Sequence, residues 1–360
     1  MASIRPDKLP LWTLFAPVVA IGVDLALHGS TNALGGAALA AALLAGVMAA
    51  VYHAEVVAAR VGEPFGAIVL ALAVTVIELG LIVSILLGDQ PQPTLVRDTI
   101  HAVVVLVLHG LAGLCIVVGA IKHHEVSFRT QGAQAYLTVL LPMVAVTLVL
   151  PNFTSTRPGP YYSGAQLAFA SMVCLGLWVA FTFVQTIRHR EHFTPARAVE
   201  EEPHSPRPEN RIAWIALGML GVALVAVVLL AKAVSPFIQA GVAALGAPEA
   251  LVGVIVAAIV LLPEAATALK AAVADKLQTS INLALGSAVA SIGLTVPTVA
   301  VIAWFTGTEL ALGVEPISAV LLTLSFLMAI ITYGTGRASL LSGIVHLILL
   351  AVWLFLIVVP

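Results

Sequence analysis

Two carboxylates in this chain sit where a carboxylate is destabilising. Glu78 lies inside the apolar run of residues 63–87, and Glu264, preceded by Pro263, lies inside the run of residues 248–273. A charged side chain at the centre of a bilayer-length helix costs about 2.5–3.5 kcal/mol on insertion scales. Packing gives no reason to keep two such residues, one in each half of the chain. A site that binds a cation and gives it up for protons does.

The neighbours fit that chemistry. Thr75 stands three residues before Glu78, so the two share a helix face, as Glu264 does with Thr267. Pro263 has no N–H, which leaves the carbonyl of Ile259 without its helical partner. The following helix carries Ser280, Ser287, Ser291, Thr295 and Thr298 at steps of seven, four, four and three, one polar stripe with Asn282 nearby. Small hydroxyls in membrane helices commonly serve packing; opposite a buried glutamate they become ligand candidates. Thr75, the Ile259 carbonyl, Asn282 and Ser287 are the expected lesser ligands. Ca2+ takes 6–8 oxygens of mixed kind, and two carboxylates with these groups could supply them. Without a cation, desolvated carboxylates favour their protonated form. One divalent ion and two protons then compete for the same two charges.

Asp98, His101 and His109 fall at steps of three and eight on roughly one face of another apolar run, a candidate proton relay. Asp24, His53, Glu55 and His346 lie near expected helix ends or lack an evident partner, and read as structural. Two further histidine clusters, His123–His124–Glu125 and His189 with His192, fall in expected loops near positive charge. The stretch "HEVSF" has Phe128 where a zinc-binding HExxH needs its second histidine. An intramembrane metalloenzyme is therefore a distant alternative, no cofactor is expected, and the chain reads as a non-enzyme. A passive channel is the other rival; no filter-like sequence supports it, and a channel would not couple two fluxes.

Composition says what must position these groups. The 360 residues are 61% hydrophobic and 9% charged, with mean hydropathy +1.09, a balance that excludes a water-soluble domain. The lipid bilayer and inorganic cations are the expected partners, and no basic cluster points to nucleic acid. Eleven runs are long enough to span, at about 10–28, 33–58, 63–87, 98–120, 134–150, 161–187, 211–233, 248–273, 278–306, 314–332 and 338–358. Continuous rather than alternating apolarity excludes a β-barrel. With eleven spans, thirteen Lys and Arg fall on the side of the N-terminus and three on the other. That predicts a multi-pass inner-membrane protein with its N-terminus in the cytoplasm and its C-terminus outside. The first run contains Asp24 and no small-residue cleavage site, so it reads as a helix rather than a signal peptide. Cys115 and Cys174 both fall in spans, which leaves no disulfide framework.

One polar segment, 188–210, divides the chain; it reads as a cytoplasmic linker. Glu63 precedes Glu78 by fifteen residues and Glu249 precedes Glu264 by the same fifteen. In each half the glutamate helix is the second of five, once the first helix is set aside. Five is odd, so the second copy enters the membrane in the opposite sense, the inverted-repeat design of many secondary transporters. The expected fold is an all-α polytopic membrane protein of 11 transmembrane helices. It comprises an N-terminal extra helix (1–32), a first five-helix repeat (33–187), the linker (188–210) and a second, inverted repeat (211–360).

The stretches "RVGEPFGAIVLALAVTVIELGLIVSILL" with "PTLVRDTIHAVVV", and "GVIVAAIVLLPEAATALKAAV" with "INLALGSAVASIGLTVPTVAVIAWFTGTEL", resemble the cation/calcium exchanger superfamily. The likeness is to its calcium/proton exchanger branch, and within that to bacterial ChaA-type sodium(calcium)/proton antiporters. "YGTGRASLLSGIVHL" is similar to the family too. The resemblance implies ten core helices plus one extra, with Glu78 and Glu264 as the central cation- and proton-binding site. It also implies alternating-access antiport of Ca2+, with Na+ or K+ as further cargo, against protons; a monovalent antiporter without Ca2+ transport is the alternative. Many relatives carry Gly-Asn or Gly-Thr-Ser before each glutamate, where this chain reads "AVTVIE" and "VLLPE". That departure bears on the ligand set and on which of Ca2+, Na+ and K+ is taken.

Overall fold

The computed structural model describes residues 9–62, 65–86, 92–193 and 207–359. Glu63, one of the spacing markers, and the acidic run Glu200–Glu202 of the linker lie outside the described residues. Eleven helices follow one another: α1 (Leu11–Ala26), α2 (Ala33–Val61), α3 (Phe65–Leu86), α4 (Leu95–His123), α5 (Thr130–Asn152), α6 (Gly164–Arg188), α7 (Asn210–Ala244), α8 (Ala250–Val273), α9 (Leu277–Thr306), α10 (Pro316–Gly334) and α11 (Leu340–Val358). Among the described residues, ten of these are long and apolar enough to cross a membrane; α1, at 16 residues, is shorter. Leu25, Phe169, Trp214, Ile331 and Phe355 stand exposed on the outside of their helices, as lipid-facing surface does and water-facing surface rarely does.

The expected runs all became helices, and two of them differ in extent in ways that involve a proline. The proline-bounded run at 134–150 is a full helix, because Pro142 is absorbed in α5, whose end widens into a π turn (Ala145–Val149). Helix α7 runs to Ala244, past the expected end at 233, with Pro236 inside it. A proline removes one hydrogen bond without ending a membrane helix whose neighbours support it.

The helices group into two compact units, each drawing on both halves of the sequence. Unit 1 holds α1, α2, α3 and α7. Helix α2 buries Leu39, Leu43, Val47, Ala50 and Ala54 on one face, the 3.6-residue spacing of a packed stripe. Glycines let α7 come close: Gly36 meets the ring of Phe237 and Gly46 meets Val227.

Unit 2 holds α4, α5, α6, α9, α10, α11 and all of α8 from Gly253 onward. Helix α9 is its centre, buried from Leu277 to Ala303 along most of its length. The motif "HEVSF" does not end in a free loop: β1 (Glu125–Ser127) pairs antiparallel with β2 (Arg337–Ser339), Val126 opposite Ala338. Just before β1, Lys122 Nζ and His123 Nε2 lie 2.9 and 3.1 Å from the carbonyl of Val273. A basic side chain on the last carbonyl of α8 satisfies an otherwise orphaned acceptor and suits the helix dipole.

Candidate functional site

In unit 1, Glu78 is 1% exposed on α3. Thr75 is buried on the same face, and its hydroxyl donates to the carbonyl of Ala71 at 2.9 Å. A threonine bonded back in this way still offers its oxygen lone pairs to a cation. Two residues beyond Glu78, a Cβ on Gly80 would stand 2.8 Å from Val228. The missing side chain is what lets α7 approach α3 at the level of the carboxylate.

In unit 2, Glu264 is half-buried on α8, which stays helical through Pro263. Ile259, half-buried, is four residues before that proline, so its carbonyl has no helical donor. Thr267 Oγ1 donates to the carbonyl of Pro263 at 3.2 Å. Helix α8 is tied to the polar stripe of α9 by Ser280, whose hydroxyl donates to the carbonyl of Ala268 at 2.7 Å. Ser287 is half-buried further along α9, Ser291 and Thr295 are buried, and Thr298 bonds back to Leu294 at 2.8 Å. Asn282 is committed elsewhere: its Nδ2 donates to the carbonyl of Phe193 at 2.6 Å, and its Oδ1 accepts from Gln278 Nε2 at 2.9 Å.

The candidate relay is arranged differently from its sequence pattern. Asp98 pairs with its neighbour Arg97 at 2.7 Å. Its backbone receives α8: a Cβ on Gly253 would come within 2.8 Å of it. His101 lies edge-on to Trp353, centroids 5.5 Å apart. Among the described residues no hydrogen bond joins Asp98, His101 and His109 to one another. His109 instead reaches α11, its Nδ1 2.8 Å from His346 Nδ1, and His346 Nε2 lies 3.0 Å from Thr332 Oγ1 on α10. His109, His346 and Thr332 are all buried. His109 sits in a π turn, Leu106–Leu111, that interrupts α4, a feature that recurs at functional sites. Glycines allow the approach: a Cβ on Gly113 would meet His346 Cβ at 2.8 Å, and one on Gly343 would meet Val117.

Two neutral imidazoles facing each other through Nδ1 share a single proton. When His346 holds it, His346 Nε2 accepts from Thr332 and the other proton of His109 is on Nε2. When His109 holds it, His346 Nε2 donates to Thr332 and His109 Nε2 is a bare lone pair. The array therefore has two hydrogen-bonded states that differ by a proton shift along it. The role of His346 was missed because its partner is 237 residues away, and no local spacing in the sequence links the two.

The profile described as sodium/calcium exchanger protein matches this chain in two stretches, residues 32–187 and 215–359. The chain belongs to the sodium/calcium exchanger family. Members of this family are membrane transporters, and this member is a multi-pass membrane protein of the exchanger fold. A putative ionic transporter of Sinorhizobium fredii, y4hA, is 42% identical, with 99% of each chain covered. The sodium-potassium/proton antiporter ChaA of Escherichia coli is 32% identical over 95% of this chain and 94% of its own. Among solved structures, the Ca2+/H+ antiporter YfkE superposes with a TM-score of 0.74 at 18% identity, covering 97% of this chain and 99% of that one; at that identity the likeness concerns the fold.

Proposed function

We propose that this family member is a secondary antiporter that expels cytoplasmic Ca2+ against an inward flow of protons, with Glu78 and Glu264 carrying cation and protons in turn. The observation that carries the reading is a carboxylate 1% exposed in the membrane-length helix α3. A second carboxylate directly after a proline in α8 is its counterpart. Either ion or proton neutralises such a group, so the carrier reorients only when loaded with one or the other, which is the condition for coupled exchange. Thr75, the Ile259 carbonyl and Ser287 are the lesser ligands. Asn282, engaged at both ends of its amide, serves more by holding the turn at Phe193 than by meeting the ion. His109 passes protons, with His346 and Thr332 as the next members in place of Asp98 and His101. In this reading the two halves, 33–187 and 211–360, are inverted repeats that move against each other around the site.

A second reading, Na+ or K+ as cargo in place of Ca2+, is favoured by the name of the Escherichia coli relative, a sodium-potassium/proton antiporter. Proteoliposomes holding a pH dye and a proton gradient separate the two when Ca2+, Na+, K+ and Mg2+ are added in turn. A pH change on adding Ca2+ that is lost in Glu264→Gln supports the first reading, and one confined to Na+ or K+ supports the second. Silence to every ion, or normal exchange by Glu264→Gln, overturns both.

A further inference from the structure

The helical path of α6 gives way at its end to a tighter turn. After a π turn (Val184–Arg188) the chain makes a 3-10 turn, Arg190–Phe193. Residues three apart eclipse in 3-10 geometry, and His189 and His192 are three apart. Their rings are stacked, centroids 5.0 Å apart and planes within 4°. Glu191 reaches both, its Oε1 3.5 Å from His189 Nδ1 and 3.8 Å from His192 Nε2. The three donor atoms lie within 4.8 Å of one another.

The turn is fixed from beneath. Phe193 is buried against Tyr136 and Phe181, at 5.5 and 5.8 Å between ring centroids, and its carbonyl takes the hydrogen bond from Asn282. The carbonyl of His192 lies so close to Gly132 that a Cβ there would collide with it. The backbone is thus anchored to α5, α6 and α9, while the two imidazoles and the carboxylate stay open to solvent.

We propose that His189, Glu191 and His192 form a binding site for a divalent transition ion of the Zn2+ class, with water completing the coordination. A tetrahedral ion about 2.0–2.1 Å from its ligands sets them roughly 3.3 Å apart, close to both carboxylate–imidazole separations here. Closure round the ion takes rotation of the two rings, both of which reach solvent, out of their parallel stack and leaves the anchored backbone in place. Two imidazoles and one carboxylate are the ligand set of several zinc sites. They do not suit Ca2+, which asks for 6–8 oxygens, so this site and the proposed transport site select different ions. Arg188 and Arg190 flank the site and oppose a cation, so affinity rests on the three ligands rather than on the local field.

The test uses the full chain, purified in detergent without a polyhistidine tag, stripped with chelator and titrated with Zn2+ against a competing metallochromic chelator. The expected result is one Zn2+ per chain, with affinity lowered at least about tenfold by His189→Ala, His192→Ala or Glu191→Gln and unmoved by equimolar Ca2+. All three side chains reach solvent, and a cooperative thermal transition in each variant checks that it is folded. Glu264→Gln, which abolishes exchange in the proposed function, leaves this Zn2+ binding intact, so failure of one assignment is distinguishable from failure of the other. Absence of Zn2+ binding, or binding that the three substitutions leave unchanged, overturns the proposal.

Discussion

His109 Nδ1 and His346 Nδ1 face each other at 2.8 Å across α4 and α11, 237 residues apart in the chain. Only one proton fits between them, so the tautomer of each ring dictates that of the other. The Thr332 hydroxyl is the inner end of this array, and His109 Nε2, buried with no hydrogen-bond partner among the described residues, is its open end. A chain of groups that reverses its donors and acceptors together can pass a proton without moving an atom heavier than hydrogen.

Replacing His346 with Ala leaves His109 Nδ1 and the Thr332 hydroxyl buried without partners. We expect a loss of stability of about 1–3 kcal/mol, read as a lower thermal midpoint in detergent. Proton-coupled exchange should slow while cation binding at equilibrium is unchanged. A variant with normal proton flux across the pH range would remove the array from the transport cycle.

Pro17 and His53 show what a membrane helix does with a carbonyl that proline frees. Pro17 denies the carbonyl of Thr13 its helical donor, and His53 Nε2, on α2, meets that carbonyl at 2.9 Å. His53→Ala should cost about 1–3 kcal/mol. In a Pro17→Ala background, where the helix supplies its own N–H, the same substitution should cost less by about 1 kcal/mol. Thermal unfolding of the four proteins of this cycle measures the coupling; strict additivity would refute it.

A bound cation stabilises the state that binds it, by about 2.7 kcal/mol at a hundred times its dissociation constant. Saturating Ca2+ should therefore raise the thermal midpoint of the wild type. Glu78→Gln and Glu264→Gln should each abolish the rise while keeping a cooperative transition. A rise that persisted in both variants would move the ion away from these carboxylates.

The spans were legible in the sequence because a membrane helix announces itself by sustained apolarity, and every expected run is a helix. Details of length were not. The run expected to end at 233 continues to Ala244 with Pro236 inside it, and the 16 residues of α1 fall short of a full span. The β1–β2 ribbon has three residues on each side and no periodicity to detect. Of the candidate site, Glu78 and Glu264 stand out in the sequence because a buried charge is rare. Partners set by tertiary contact do not: His109 pairs with His346 rather than with His101, and Asn282 turns to Phe193. The stacking of His189 on His192 was hidden as well, since it depends on a 3-10 turn that composition does not specify.

Gly113 offers a way to test the histidine array without touching either histidine. A methyl group there would stand 2.8 Å from His346 Cβ and 3.3 Å from the carbonyl of Gly343, the second a backbone atom that cannot rotate aside. Gly113→Ala must therefore push α11 from α4, at about 1–3 kcal/mol for overpacking. The 2.8 Å contact between the Nδ1 atoms is the shortest polar link between these helices, and it should open first. If it serves proton movement, Gly113→Ala should slow proton-coupled exchange as His346→Ala does, and adding it to His346→Ala should slow exchange little further. Full additivity of the two effects on exchange would mean that the close approach of α4 and α11 serves packing alone.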